Sequence, residues 1–154
     1  MQNSKNLIAY FIRTDSLQFE ARGEKFCNHL NNRTFKTLMI AVVKETFNAR
    51  YEAIQKVFDI GNKFMPVWVR HLIKLIAIQH LFLKTFYKRR KQISHIIIGN
   101  FEFFPAALIL ALFVRTPIYV DLHEHYFTKV FINPRFANFI FTKWLDGVIF
   151  ANQA

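Results

Sequence analysis

Short apolar runs alternate with longer segments of helical spacing along most of this chain. An apolar run closed by polar residues predicts a buried strand, and apolar residues repeated every three or four positions predict a helix. The predicted strands are residues 5–12, 35–43, 94–99, 117–122 and 148–151, and the predicted helices are residues 17–30, 66–92, 105–114 and 135–145. Residues 44–63 are polar and only partly helical in pattern, so we expect a loop there.

This alternation predicts the fold class. Strands that alternate with helices lie parallel in one sheet, with helical crossovers between them. We therefore predict an α/β fold in one domain over residues 1–154, with a Rossmann-like, doubly wound parallel sheet of about five strands. Residues 13–23 contain no G-x-G-x-x-G fingerprint and the chain has no P-loop, so a nicotinamide or flavin cofactor has little support.

The helix at residues 66–92 is predicted to be long, cationic and amphipathic. Its apolar face is formed by Trp68, Leu72, Leu75, Phe82, Leu83 and Phe86, and Arg70, Lys74, Lys84, Lys88 and Lys91 lie on the opposite face. One interpretation is a peripheral helix that covers the sheet and leaves its lysines in water. The other is an interfacial helix whose apolar face enters the lipid boundary while basic residues bind anionic headgroups. The second interpretation predicts a membrane-surface set of Trp68, Arg70, Lys74, Lys84, Lys88 and Lys91.

The composition narrows the class of protein and of partner. Hydrophobic residues make up 53% of the chain, which excludes a disordered protein. The net charge of +11 favours polyanionic partners, and residues 60–101 hold no acid at all. Nucleic acid is disfavoured, because the aromatic residues follow core or amphipathic spacing and no zinc ligands or helix-turn-helix appear. The apolar stretch 96–114 contains Gly99, Asn100, Glu102 and Pro105, so we expect no membrane span there.

Polar residues follow three of the predicted strands. The carboxyl ends of parallel strands converge on one crevice, where ligands bind. We therefore predict substrate-binding roles for Arg13, Thr14, Asp15, Gly99, Asn100 and Glu102, and catalytic roles for Asp121, His123 and Glu124. Arg13 suits a phosphate contact, with an ordinary surface arginine as the alternative, and Gly99 allows close approach of the backbone.

Four short motifs resemble the N-terminal domain of a GT-B-fold glycosyltransferase, in the retaining, subfamily-4-like group. The most specific is residues 117–124, Pro-Ile-Tyr-Val-Asp-Leu-His-Glu, which is similar to the family's strand ending in D-x-H-E. The others are Arg-Gly-Glu-Lys at residues 22–25, His-Ile-Ile-Ile-Gly at residues 95–99, and Asp-Gly-Val-Ile-Phe-Ala-Asn at residues 146–152.

The resemblance implies an acceptor-side half of an enzyme that transfers a sugar from a nucleotide-sugar to a glycan or lipid-linked acceptor. It implies no metal or other cofactor, and a C-terminal donor-binding domain that this sequence lacks, so we expect a truncated or split enzyme. We expect a cytoplasmic protein held peripherally at the inner face of the membrane. The alternative is a non-catalytic, membrane-associated binding module left by loss of the donor domain.

The three catalytic candidates can be interpreted either as functional residues or as structural ones. The resemblance implies that His123 faces the cleft, where its imidazole can exchange a proton near neutral pH. The alternative is a structural role, in which His123 hydrogen-bonds Asp121 and holds the loop in place. Glu124 either positions sugar hydroxyls or caps the following helix. Asp121 is expected to anchor the loop. The spacing of His123 and His125 is not that of H-E-x-x-H, so no metal site is expected, and Cys27 is expected to be a buried, idle thiol.

Overall fold

Six strands and the helices between them form the part of the chain that the structure, a computed structural model, describes. This part comprises residues 6–14, 21–31, 35–46, 48, 52–57, 65–122, 143 and 145–150. The strands are β1 (Leu7–Arg13), β2 (Lys36–Val43), β3 (Ala53–Val57), β4 (Ile93–Ile98), β5 (Ile118–Leu122) and β6 (Gly147–Phe150). The helices are α1 (Ala21–Asn31), α2 (Val67–Arg89) and α3 (Phe104–Phe113), the last preceded by a 3-10 turn at Phe101–Phe103.

All neighbouring strands pair in parallel, in the order β3-β2-β1-β4-β5-β6. The chain moves outward from β1 to β3, returns to the other side of β1, and moves outward again to β6. This order is that of a Rossmann-like sheet, so the predicted fold class is confirmed. The reversal between β1 and β4 creates the point where ligands bind in such sheets, at the carboxyl ends of these two strands.

β3 lies inside the segment that was predicted to be a loop, and the prediction of about five strands missed it. The strand has only five residues, and it pairs with β2 alone. Its side chains are half-buried or exposed, because it forms the edge of the sheet. A short edge strand needs no apolar run, so the periodicity of the sequence gave no signal of it.

β1 and β2 bury side chains on both faces, as inner parallel strands do. Because side chains alternate between the faces, Leu7, Ala9 and Phe11 of β1 pack towards α2 and α3, whereas Ile8, Tyr10 and Ile12 pack towards α1. The core on the α2 side is aromatic: the ring centroids of Phe11 and Phe82 are 4.2 Å apart, and those of Phe11 and Phe103 are 5.8 Å apart.

Helix α2 is buried most deeply along its second half. Its buried residues are Ile78, Leu81, Phe82, Thr85 and Phe86. In the first half, Trp68 is 69% exposed and Leu72 48% exposed, although both belong to the apolar face predicted from the sequence. That face therefore covers the sheet from Ile78 onward and lies open before it. The periodicity could not indicate this difference, because it does not show where the underlying sheet ends.

Candidate functional site

The carboxyl ends of β1 and β4 are joined by a side-chain amide. The Arg13 backbone N–H donates a hydrogen bond to Oδ1 of Asn100 at 2.5 Å, and Asn100 is buried. One residue earlier, the backbone N–H of Gly99 donates to the Phe11 carbonyl at 2.8 Å. The strand-end rule that predicted Arg13, Gly99 and Asn100 as neighbours therefore located them correctly, and the structure shows that Asn100 fixes the spacing of the two strand tips.

Arg13 and Glu102 form an ion pair across this crevice. Nη1 of Arg13 lies 2.7 Å from Oε1 of Glu102, with both side chains partly exposed. The second oxygen, Oε2, is shielded from solvent and accepts no hydrogen bond from any residue that the structure describes. A buried acceptor without a donor is costly, so it marks a position where a ligand hydroxyl or amine would be stabilised.

Gln79 of α2 holds the turn that carries Glu102. Its Nε2 donates to the Glu102 carbonyl, and its Oε1 accepts from the Ala106 backbone N–H at 2.9 Å. The second bond satisfies one of the amides that the first turn of α3 leaves unpaired. Sequence reasoning missed Gln79, because its partners are 23 and 27 residues away in the chain.

A small basic cavity adjoins the Arg13 side of the crevice. It has a volume of about 80 Å³ and is lined by Arg13, Thr14, Val42, Val43, Lys44, Lys74 and Ile78. Three cationic side chains thus come from β1, the end of β2 and α2. Lys44 was not predicted, although it follows β2 directly and the strand-end rule applies to it as well. Lys74 lines this cavity, and its predicted role at a membrane surface stays a prediction.

Asp121 belongs to the other face of the sheet. Tyr10 donates its hydroxyl to Oδ2 of Asp121 at 2.7 Å, and both residues are buried. Tyr10 packs in the cluster on the α1 side, whereas Glu102 is held by α2. The structure therefore groups Arg13, Thr14, Asn100 and Glu102 but not Asp121. Its hydrogen bond across β1 and β5 supports the anchoring role, and its catalytic role stays a prediction.

Gly99 makes room for this buried pair. A Cβ atom at Gly99 would lie 3.0 Å from the Tyr10 hydroxyl and 3.3 Å from the ring carbon that bears it. The glycine therefore permits the close approach of β4 to Tyr10, and its predicted role in substrate binding stays a prediction.

Asp15, His123 and Glu124 lie outside the described residues. The strand that leads to the two catalytic candidates ends at Leu122, at the same edge of the parallel sheet as Arg13 and Asn100. Their predicted roles are therefore neither supported nor contradicted by side-chain geometry.

The predicted membrane-surface lysines line different cavities, and their membrane role stays a prediction. Lys84 and Lys88 line a groove between α2 and β3, whereas Lys91 lines another groove between α2 and α3. Arg70 is half-buried, with its Nε shielded from solvent, and Trp68 is exposed. The single basic face predicted from the helical wheel is thus divided by the neighbouring elements.

Cys27 is completely buried on the α1 side of the sheet. Burial raises the pKa of its thiol, an effect that a hydrogen bond with Thr37 partly opposes. The reactive form of cysteine is the thiolate, so a buried thiol with a raised pKa is a poor nucleophile.

Within the described residues, no three His, Cys, Asp or Glu side chains are grouped as metal ligands would be. The same part of the chain contains no helix that has both the length and the hydropathy needed to span a bilayer.

Comparisons with known proteins do not assign the chain to a family. No protein-family model matches the chain, and no curated protein sequence matches it significantly. The resemblance to glycosyltransferases therefore rests on the four motifs, and the crevice is characterised by its own geometry.

Proposed function

We propose that this chain is the acceptor-side domain of a glycosyltransferase. In this proposal the crevice at the carboxyl ends of β1 and β4 binds a glycan or lipid-linked acceptor, and a sugar is transferred to it from a nucleotide-sugar. The donor-binding half would be a further domain or a separate protein. The proposed location is the cytoplasmic face of the membrane, and no metal or other cofactor is required.

The observation that carries the proposal is the position of Glu102. Its unpaired Oε2 is a carboxylate oxygen, which accepts hydrogen bonds and donates none, so it suits the hydroxyl groups of a sugar. The ion pair with Arg13 keeps the other oxygen in place and orients the group. The ion pair therefore limits the freedom of the carboxylate, and a small outward shift of the Glu102 side chain would expose the shielded Oε2 to a ligand.

The basic cavity supports the same proposal. Arg13, Lys44 and Lys74 place positive charge next to the carboxylate, so a ligand with hydroxyls at one end and a phosphate at the other matches both parts. A sugar linked to a lipid through phosphate has this character. His123 and Glu124, in the chain that follows β5, are proposed to orient the acceptor hydroxyl and to assist removal of its proton.

Saccharide binding tests the proposal directly. Saturation-transfer NMR with a panel of mono- and disaccharides and their phosphates should detect contact with the wild-type protein. Glu102→Ala should abolish the saccharide signals, because it removes the acceptor oxygen. Glu52→Ala is the matched control, since Glu52 also pairs with an arginine, Arg89, but away from the crevice. The proposal is wrong if the wild type binds no saccharide, or if Glu102→Ala binds as the wild type does.

A second candidate is the non-catalytic, membrane-associated binding module. It is favoured by the apolar surface on the first half of α2, where Val67, Trp68 and Leu72 are exposed. Exposed apolar residues beside basic ones are typical of an interfacial helix. Binding to anionic vesicles together with an absence of saccharide binding would favour this module over the enzyme.

A further inference from the structure

A groove between β3 and α2 has no place in the proposed reaction. Its volume is about 820 Å³, and it extends along α2 from Ile73 to Arg89, which corresponds to about 24 Å of helix. None of Arg13, Thr14, Asn100 and Glu102 lines it. It is therefore a separate site at the edge of the sheet, and it does not depend on the proposed function.

The lining of the groove changes in character along α2. In the first part the helix side of the groove is apolar, with Ile73, Ile76 and Ala77. In the last part it is basic, with Lys84, Lys88 and Arg89. A cleft with an apolar part and a cationic part is complementary to a molecule with an apolar tail and an anionic head.

The charge of the groove is not balanced by its own lining. None of the described residues that line it is acidic, and Lys56 of β3 adds a fourth cation. The ion pair between Nη1 of Arg89 and Oε1 of Glu52, at 3.2 Å, involves a glutamate outside the lining. The groove therefore favours an anion over a zwitterion, and its apolar wall favours a ligand with a hydrocarbon chain over a free anion.

We propose that this groove binds one anionic lipid, with its acyl chain against Ile73, Ile76 and Ala77 and its phosphate group near Lys84 and Lys88. The groove binds one lipid molecule at a time, so no bilayer is needed. This distinguishes the groove from the exposed apolar surface of α2, which would contact a membrane as a whole.

A titration with single-chain lipids below their micelle concentration tests the proposal. The probes are myristoyl lysophosphatidylglycerol, the matched zwitterionic lysophosphatidylcholine, and glycerol 3-phosphate as a headgroup without a chain. Native mass spectrometry gives the stoichiometry and calorimetry the affinity. We expect one bound lysophosphatidylglycerol, weaker binding of lysophosphatidylcholine, and no binding of glycerol 3-phosphate.

Variants of exposed residues locate the site without affecting folding. Lys84→Glu combined with Lys88→Glu should weaken lysophosphatidylglycerol binding by about tenfold or more, since each basic residue near an anionic lipid contributes about 1 kcal/mol. Ile76→Asp, at a residue that is 59% exposed, should weaken binding of both lipids. The matched controls are Lys91→Glu, in the groove with α3, and Leu72→Asp, on the same helix but outside this groove.

The controls should bind as the wild type does, and circular dichroism should show the same helix content for every variant. The proposal is overturned if the wild type binds no lysophosphatidylglycerol, if glycerol 3-phosphate binds equally well, or if Lys91→Glu weakens binding as much as the double variant. Because neither a saccharide nor a bilayer is present, these outcomes are independent of the saccharide and vesicle experiments.

Discussion

At the scale of single residues, the buried contact between Tyr10 and Asp121 joins two strands that do not pair with each other. β4 lies between β1 and β5, so this hydrogen bond crosses the central strand of the sheet. It passes over Gly99, whose missing side chain leaves the space for it. The contact therefore joins β1 to β5 across the residue that follows β4.

Replacing Tyr10 with Phe tests this link. The variant keeps the ring but removes the donor to a buried carboxylate, so we expect a loss of about 1–3 kcal/mol in the free energy of unfolding. Urea denaturation followed by circular dichroism measures the loss. Tyr87→Phe is the control, because Tyr87 is exposed and its ring keeps the contact with Arg90. Equal stability of the wild type and Tyr10→Phe would contradict the role of this bond.

The sequence predicted residue positions correctly where one rule sufficed, namely that parallel strands end at the same edge of the sheet. Arg13, Asn100 and Glu102 were grouped correctly, because parallel strands end at the same edge and each residue follows such a strand. Tyr10 was not identified, because a tyrosine in an apolar strand has the same periodicity whether or not its hydroxyl has a buried acceptor. The pairing of Glu102 with Gln79 depends on how α2 crosses the sheet, which no local pattern contains.

At the scale of elements, helix α2 combines two halves with different surroundings. From Ile78 onward it contributes buried residues to the core, and before that its apolar side chains are exposed. Lys74 and Gln79 lie beside the ends of β1 and β4, so the first turns of α2 extend past the edge of the sheet by about 10 Å.

Alanine substitutions in the two halves of α2 should therefore change the free energy of unfolding by different amounts. Phe82→Ala removes a fully buried ring that contacts Phe11 and Phe103, so we expect a loss of about 3–5 kcal/mol in the free energy of unfolding. Leu72→Ala, on the exposed part of the same helix, should change it by less than about 0.5 kcal/mol. Thermal and urea denaturation compare the two, and a large effect of Leu72→Ala would mean that the first half is packed in solution.

The sequence predicted most elements to within a few residues, and its failures have a common cause. Strands β1, β2 and β4 are apolar runs because other elements cover them. β3 is short and lies at the edge, so its pattern is weak. The apolar face of α2 was read as continuous, since the sequence shows which residues are alike but not which of them reach the sheet.

At the scale of the whole molecule, the net charge of +11 favours association with anionic surfaces. Basic residues line a cavity at the crevice and two grooves beside α2, so several faces carry positive charge. Exposed charges act over roughly the screening length, which is about 30 Å in 0.01 M salt and about 10 Å in 0.1 M salt. Long-range attraction to an anionic surface is therefore sensitive to salt.

Vesicle flotation tests the membrane part of the proposed function. Binding to vesicles that contain phosphatidylglycerol should exceed binding to pure phosphatidylcholine, and it should fall as salt is raised. Trp68→Ala combined with Leu72→Ala should lower binding at every salt concentration, because it removes apolar contact. The control is Ile109→Ala combined with Leu112→Ala, which removes exposed apolar residues from α3. Equal binding to both vesicle types, or none, would contradict electrostatic attachment.

The strand order also has a consequence for synthesis on the ribosome. β1 emerges well before β4, which is one of its two neighbours in the sheet and lies about 85 residues later in the chain. Until Ile93–Ile98 has been translated, the hydrogen-bonding groups on that side of β1 lack their final partner. Contacts between segments so far apart form late, and unpaired strand edges promote aggregation in the meantime. The nascent chain therefore needs protection at this stage, so release of truncated chains that end before β4 should yield an insoluble product.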